Sequence, residues 1–187
     1  LNDPFNKQDL LEGIKVIRSK QMTMSKKTVN FEKIFKKKIK VKNSLMVNSG
    51  SSANLLAMQC LINPYRKVGL KRGDEVLIPA LCWSTSLWPI VQSGLKPIFV
   101  DINISDLNIN LNDLEKKITK KTKAIMLIHV LSNSTNMDRL LKLKKRYNLI
   151  IIEDTCESLG SKYKKKYLGT FGDFSTFSFY YSHQITS

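Results

Sequence analysis

The sequence predicts an α/β protein built on a mostly parallel sheet with helices on both faces. Short apolar runs recur at 75–78, 97–100, 124–128 and 149–152, each the length of a strand and apolar apart from Glu75. Strands buried on both faces read this way. Segments with helical apolar spacing separate them, at 86–93, 111–118 and 138–147. Strand and helix in alternation are the mark of a parallel sheet wound by right-handed crossovers.

Before the first of these strands, residues 9–19 carry Leu10, Leu11, Ile14, Val16 and Ile17 at helical spacing, and 29–39 repeat the pattern with Phe31, Ile34, Phe35 and Ile39. A short strand is expected at 44–47, running into Asn48-Ser-Gly-Ser-Ser52, after which a helix resumes over 53–62. No repeat, low-complexity tract or long Pro/Gly linker interrupts the chain, so one domain is expected. In such sheets ligands sit beyond the carboxyl ends of the strands, and several polar clusters fall at those ends.

At 187 residues, 42% hydrophobic and 25% charged, the chain has the composition of a globular domain with a sizeable core. No run approaches the roughly 20 apolar residues of a membrane span, and the start lacks a basic-then-apolar leader. It opens on Leu1 and stops at Ser187, which reads as a fragment. Cys60, Cys82 and Cys156 are too few and scattered for a disulfide framework, which favours the cytoplasm. The net charge of +16 comes mostly from lysine runs at 36–38, 116–117, 120–121, 144–145 and 164–166. These read as solvated helix faces and loop tips, and no nucleic-acid partner is expected from them.

Four clusters could carry chemistry. In Asn48-Ser-Gly-Ser-Ser-Ala53, Gly50 permits a turn, and Ser51 and Ser52 either face an anion at the helix N-terminus or belong to an ordinary cap. Trp83, after the strand ending at Ile78, could stack on a flat ring or pack as a lid; Trp88 is assigned to packing. The apolar strand at 149–152 delivers Glu153 and Asp154 to the ligand edge, with Glu157 expected one helical turn later. Finally, Ser178-Phe-Tyr-Tyr-Ser-His-Gln-Ile-Thr-Ser187 places a hydroxyl five residues before His183, whose imidazole can move protons near neutral pH.

That last segment resembles the cofactor-lysine motif S-F-x-x-x-K-x-x-T of the DegT/StrS family of vitamin-B6-dependent sugar aminotransferases, with His183 in the lysine's place. The resemblance extends to 49–57, 73–101, 122–138 and 152–186, and it implies the N-terminal part of a fold-type I large domain, truncated, over 1–187, with a helical segment at about 1–40 and the small C-terminal domain absent. It implies pyridoxal or pyridoxamine 5′-phosphate as cofactor: Gly50, Ser51, Ser52 and Ser178 on the phosphate, Trp83 over the ring, Asp154 on the pyridine nitrogen and Glu157 near the phenolic oxygen. Histidine at 183 is similar to the branch of nucleotide-diphospho-4-keto-6-deoxyhexose 3-dehydratases of deoxysugar and O-antigen biosynthesis. There His183 would shuttle protons, the substrate would be a nucleotide-diphosphate sugar, L-glutamate would restore the amine, and the protein would be a homodimer. Two alternatives stay open: an aminotransferase of the same family, or an iron–sulfur CDP-hexose 3-dehydratase, whose first cluster ligand would match Cys156.

Overall fold

The computed structural model describes residues 6–23, 25–67, 69–180 and 183. The chain divides into two compact units, Leu1–Met46 and Val47–Ile185. The first holds helices α1 (Lys7–Ser19) and α2 (Lys26–Ile39). Asn6 caps α1 in a reciprocal box with Asp9. Glu12 binds Lys15 at 2.7 Å and also pairs with Lys27, and these two ammonium groups hold its carboxyl down to about 2. Phe31 and Phe35 stack within α2, one turn apart, with ring centroids separated by 5.6 Å.

In the second unit, α3 (Gly50–Leu61) precedes β1 (Glu75–Pro79), α4 (Ser84–Gln92), β2 (Lys96–Val100), α5 (Leu111–Lys117), β3 (Thr122–Ile128), α6 (Met137–Tyr147) and β4 (Ile150–Asp154). A two-stranded hairpin, β5 (Lys162–Tyr163) with β6 (Lys166–Tyr167), leads to β7 (Phe174–Thr176). The main sheet runs β2-β1-β3-β4-β7 and every pairing in it is parallel. From β1 the chain moves outward to β2, then returns to the far side of β1 for β3, so the winding reverses between β1 and β3. This is the topological switch point, where such sheets open a ligand crevice.

Strand alternation sorts the two cores. Leu77, Val100, Ile125, Leu127 and Ile151 face α5 and α6 through Leu111, Leu114, Met137, Leu140 and Leu143. Val76, Ile78, Ala124, Met126 and Ile152 face the opposite way and pack with Ala57, Met58 and Leu61 of α3 and Ile90 of α4. The expected α/β architecture with helices on both faces is therefore present. Two local expectations are corrected. Residues 44–47 form no strand, and β2 is not buried on both faces: Lys96 and Phe99 are exposed because β2 has only β1 beside it.

Three of the five lysine runs lie where a helical dipole favours cations. Lys36, Lys37 and Lys38 end α2, Lys116 and Lys117 end α5, and Lys144 with Lys145 ends α6. Lys164 and Lys165 form the tip of the β5–β6 hairpin. No described helix is long and apolar enough to cross a membrane.

On the α5/α6 side, Glu153 is fully buried. Its Oε2 lies 2.9 Å from His129 Nε2 and accepts the Gly169 amide at 2.8 Å; its Oε1 accepts the amides of Phe171 and Gly172 at 2.7 and 2.5 Å. Burial would raise this carboxyl, but the His129 ring and the amides of Gly172 and Gly169 outweigh it and hold the group below its usual 4.5. Glu153 thereby ties β4 to the loop that feeds β7. Because its native pKa lies below its unfolded one, its stabilisation is complete above about pH 4.5 and drains away as pH falls through the native value. Glu153→Gln is expected to cost about 3 kcal/mol at neutral pH and to flatten the acid limb of stability. Urea melts of the intact protein across the acid range measure both, and an acid limb as steep as the wild type's would contradict the assignment.

Candidate functional site

The carboxyl end of β4 and the first turn of α3 meet on the α3/α4 side of the sheet. Asp154 is buried there, and its partners come from three elements. Oδ2 accepts from Asn54 Nδ2 at 2.8 Å and from Ser86 Oγ at 2.7 Å; Oδ1 accepts the backbone N–H of Cys156 at 3.1 Å. Thr176, the register partner of Asp154 on β7, donates from Oγ1 to Asn54 Oδ1 at 2.6 Å. A buried carboxylate is tolerated when its lone pairs are met in this way.

The helix that begins beside it starts from Ser49, not from Ser51 or Ser52. The Ser49 hydroxyl accepts the Ser52 amide at 3.1 Å and its carbonyl accepts the Ala53 amide at 3.0 Å. The Ser52 amide is thus spent on the cap, whereas those of Gly50 and Ser51 stand at the open first turn, outside the intrahelical ladder. Gly50 has no left-handed backbone, so its role is not to permit a turn. A Cβ there would meet Cys156 Sγ at 3.0 Å and Ser178 Cβ at 3.2 Å. Glycine lets the start of α3 approach the stretch after β7 closely, and Gly50 and Ser178 come together as expected. Ser178 is buried and its Oγ accepts the Tyr180 amide at 3.2 Å.

Trp83 is the N-cap residue of α4, immediately beyond the β1 edge, and is 76% exposed. Its indole is free of the core, as a stacking platform must be. Trp88, expected to pack, is instead 55% exposed, because it lies on the face of α4 turned away from Ser86 and Ile90. Burial, then the Asp154 charge, pushes the Cys82 thiol up, so the loop carrying Trp83 lies within the carboxylate's field. Glu157 is exposed and sits in a turn; the helix expected after Asp154 does not form.

The Cys156 sulfur, packed against Gly50, is pushed far up by burial and then by Asp154. An iron–sulfur ligand is a thiolate, a form that this surrounding disfavours when no metal is bound. No group of three or more His, Cys, Asp or Glu converges among the described residues. His183 donates its backbone N–H to the Tyr180 carbonyl at 2.8 Å and sets its ring edge-on to the Tyr180 ring, centroids 5.7 Å apart. Its Nδ1 is buried with no hydrogen-bond partner among the described residues, a state that costs free energy. Ser182 and Thr186 of the same motif lie outside the described residues.

Asn54 and Ser86 were not legible as site residues. The one sequence signal was an asparagine on the otherwise apolar face of α3 that carries Ala57, Met58 and Leu61.

Comparison with known proteins places this geometry. Residues 5–187 match the model of the DegT/DnrJ/EryC1/StrS aminotransferase family. A GDP-4-keto-6-deoxy-D-mannose 3-dehydratase of Escherichia coli O55:H7 is 42% identical over 172 residues, covering 92% of this chain and 44% of its own. The solved E. coli GDP-4-keto-6-deoxy-D-mannose-3-dehydratase with bound hydrated PLP superposes with a TM-score of 0.93 at 39% identity, covering 99% of this chain and 47% of that one. A structure of GDP-4-keto-6-deoxymannose-3-dehydratase with a trapped PLP-glutamate geminal diamine gives 0.89 at 40% identity, over 94% and 46%. The chain spans about half the length of these relatives.

The contact of Gly50 with Cys156 gives a direct test. Gly50→Ala is expected to destabilise the intact protein by about 1–3 kcal/mol through overpacking. Adding Cys156→Ala, which removes the nearest atom, should recover part of the loss. Denaturant melts of both single variants and the double measure that coupling; strict additivity would mean the close approach is not the constraint.

Proposed function

The chain belongs to the DegT/DnrJ/EryC1/StrS aminotransferase family, and we propose that it is part of a pyridoxamine-phosphate-dependent dehydratase that removes the C3 hydroxyl of a nucleotide-diphospho-4-keto-6-deoxyhexose. The observation that carries this reading is His183 in the position of the family's cofactor-binding lysine. An imidazole cannot anchor the cofactor covalently, but it can take up and release protons. An aminotransferase of the same family would need the missing amine.

The residues present fit the cofactor. Gly50 and Ser178 stand side by side at the start of α3, a buried carboxylate lies at Asp154, and His183 Nδ1 has no hydrogen-bond partner among the described residues. The chemistry supplied by the bound cofactor is an amine that joins a sugar ketone and a cationic ring that accepts electron density. Asp154 holds the proton on the ring nitrogen by charge and hydrogen bonding. The amides of Gly50 and Ser51, with the hydroxyls of Ser51, Ser52 and Ser178, bind the phosphate at the start of α3, where the helix dipole favours an anion. With the cofactor bound, Trp83 would cover one face of its ring and Glu157 would serve its phenolic oxygen.

With the cofactor bound, His183 would be the group that takes up the proton lost at carbon C4′ and returns one to the C3 oxygen, which would leave as water. L-glutamate is the proposed donor that restores the amine, and the enzyme is proposed to be a cytoplasmic homodimer. A relative's structure trapped with a PLP-glutamate adduct supports the donor.

The full-length protein, supplied with pyridoxamine phosphate, L-glutamate and GDP-4-keto-6-deoxymannose, should yield a sugar lacking the C3 oxygen, followed by mass. His183→Asn should slow this by roughly 100-fold or more, and His183→Lys should also lose dehydration. Undiminished turnover in either variant would remove His183 from the chemistry.

A further inference from the structure

Asn54 is 1% exposed, and its amide is bound by three different elements. Oδ1 accepts from Thr176 of β7 at 2.6 Å. Nδ2 donates to Asp154 Oδ2 at 2.8 Å and, more weakly, to the Thr85 carbonyl of α4 at 3.4 Å. That carbonyl lacks its usual helical donor, because the residue four positions on is Pro89, which has no N–H. Turning the amide over would set its oxygen against a carboxylate and a carbonyl, so one orientation is fixed.

Resting on the cofactor reading above, we infer that Asn54 is the positioning residue for Asp154 and couples it to the phosphate end of the site. Oδ2 receives both Asn54 and Ser86, which fills that oxygen's two lone-pair directions. A ligand N–H is therefore taken by Oδ1, the oxygen that also receives the Cys156 amide. The same amide ties together the two elements that carry the phosphate contacts. Asn54 belongs to α3, which begins at Gly50, and its partner Thr176 ends β7, just before Ser178. Losing Asn54 frees Asp154 to turn and lets α3 and β7 drift in register, so ring and phosphate are both held less well.

The test uses full-length protein and reads binding, not turnover. Pyridoxamine phosphate is titrated by absorbance and fluorescence, the absorbance of the bound form is followed against pH, and melting of the cofactor-free protein is recorded beside them. Asn54→Ala is expected to weaken binding about 10- to 100-fold, the range for a lost hydrogen bond to a charged group. It should also lower the pH at which the bound ring nitrogen gives up its proton, because the carboxylate opposite is less well held. Thr176→Val cuts the far end of the chain of hydrogen bonds without touching Asp154. It should move both readouts the same way by a smaller factor, and Thr176→Ser should restore them. If Asn54→Ala does not fold, the Thr176 pair decides. A lower melting temperature with unchanged affinity and pH dependence would reduce Asn54 to a packing residue and overturn the inference. Wild-type protein that binds neither pyridoxamine nor pyridoxal phosphate would sink the cofactor reading itself, a result distinct from tight binding that ignores Asn54.

Discussion

A charge buried at the end of β4 is the constraint around which this half of the molecule is arranged. Asp154 is taken out of water between α3, α4 and β7, and an ionised group in that setting is tolerable only when donors surround it. Those donors come from chain positions far apart, so the helices and the last strand must be in place before the carboxylate is stable. The preceding residue poses the same problem on the opposite face. Glu153 points towards α6, as alternation along a strand requires, and is met by His129 and three backbone amides. Two consecutive acids thus pin both layers of helices and loops to one strand end. The acid on the α5/α6 face organises the loop before β7; the one on the α3/α4 face gathers α3, α4 and the turn after β4.

The architecture was legible because its signals are local. Apolar runs of strand length and helical spacing between them depend on near neighbours, and they located the core strands β1, β3 and β4 within a residue or two. Burial on both faces was not local: β2 has the same apolar look, but Phe99 is open and no described strand lies beyond that edge. Residues 44–47 failed for a related reason, since an apolar stretch without a pairing partner has no ladder to join. At the site, Gly50, Ser178 and Asp154 stood out through their resemblance to a known motif. Asn54 did not, because its meaning is set by Asp154, 100 positions away, and by a proline on another helix.

The distribution of charge also has a local logic. A surplus of lysine suggests a polyanionic partner when read as a total. Read by position, much of it closes helices at their C-termini, where it meets the unpaired carbonyls and the negative end of the dipole. Two of the cations that close α6 also form ion pairs, Lys144 with Asp173 and Arg146 with Glu115.

The proline in α4 has an effect that reaches past its own helix. By withholding a proton donor, Pro89 leaves Thr85 to be steadied by an asparagine of α3. The opening turn of α4, with the indole of Trp83 at its head, is thereby moored sideways to its neighbour as well as lengthwise to its own coil. An aromatic shelf that stands in solvent takes its bearing from a gap in the backbone, and a helix breaker serves as an alignment pin.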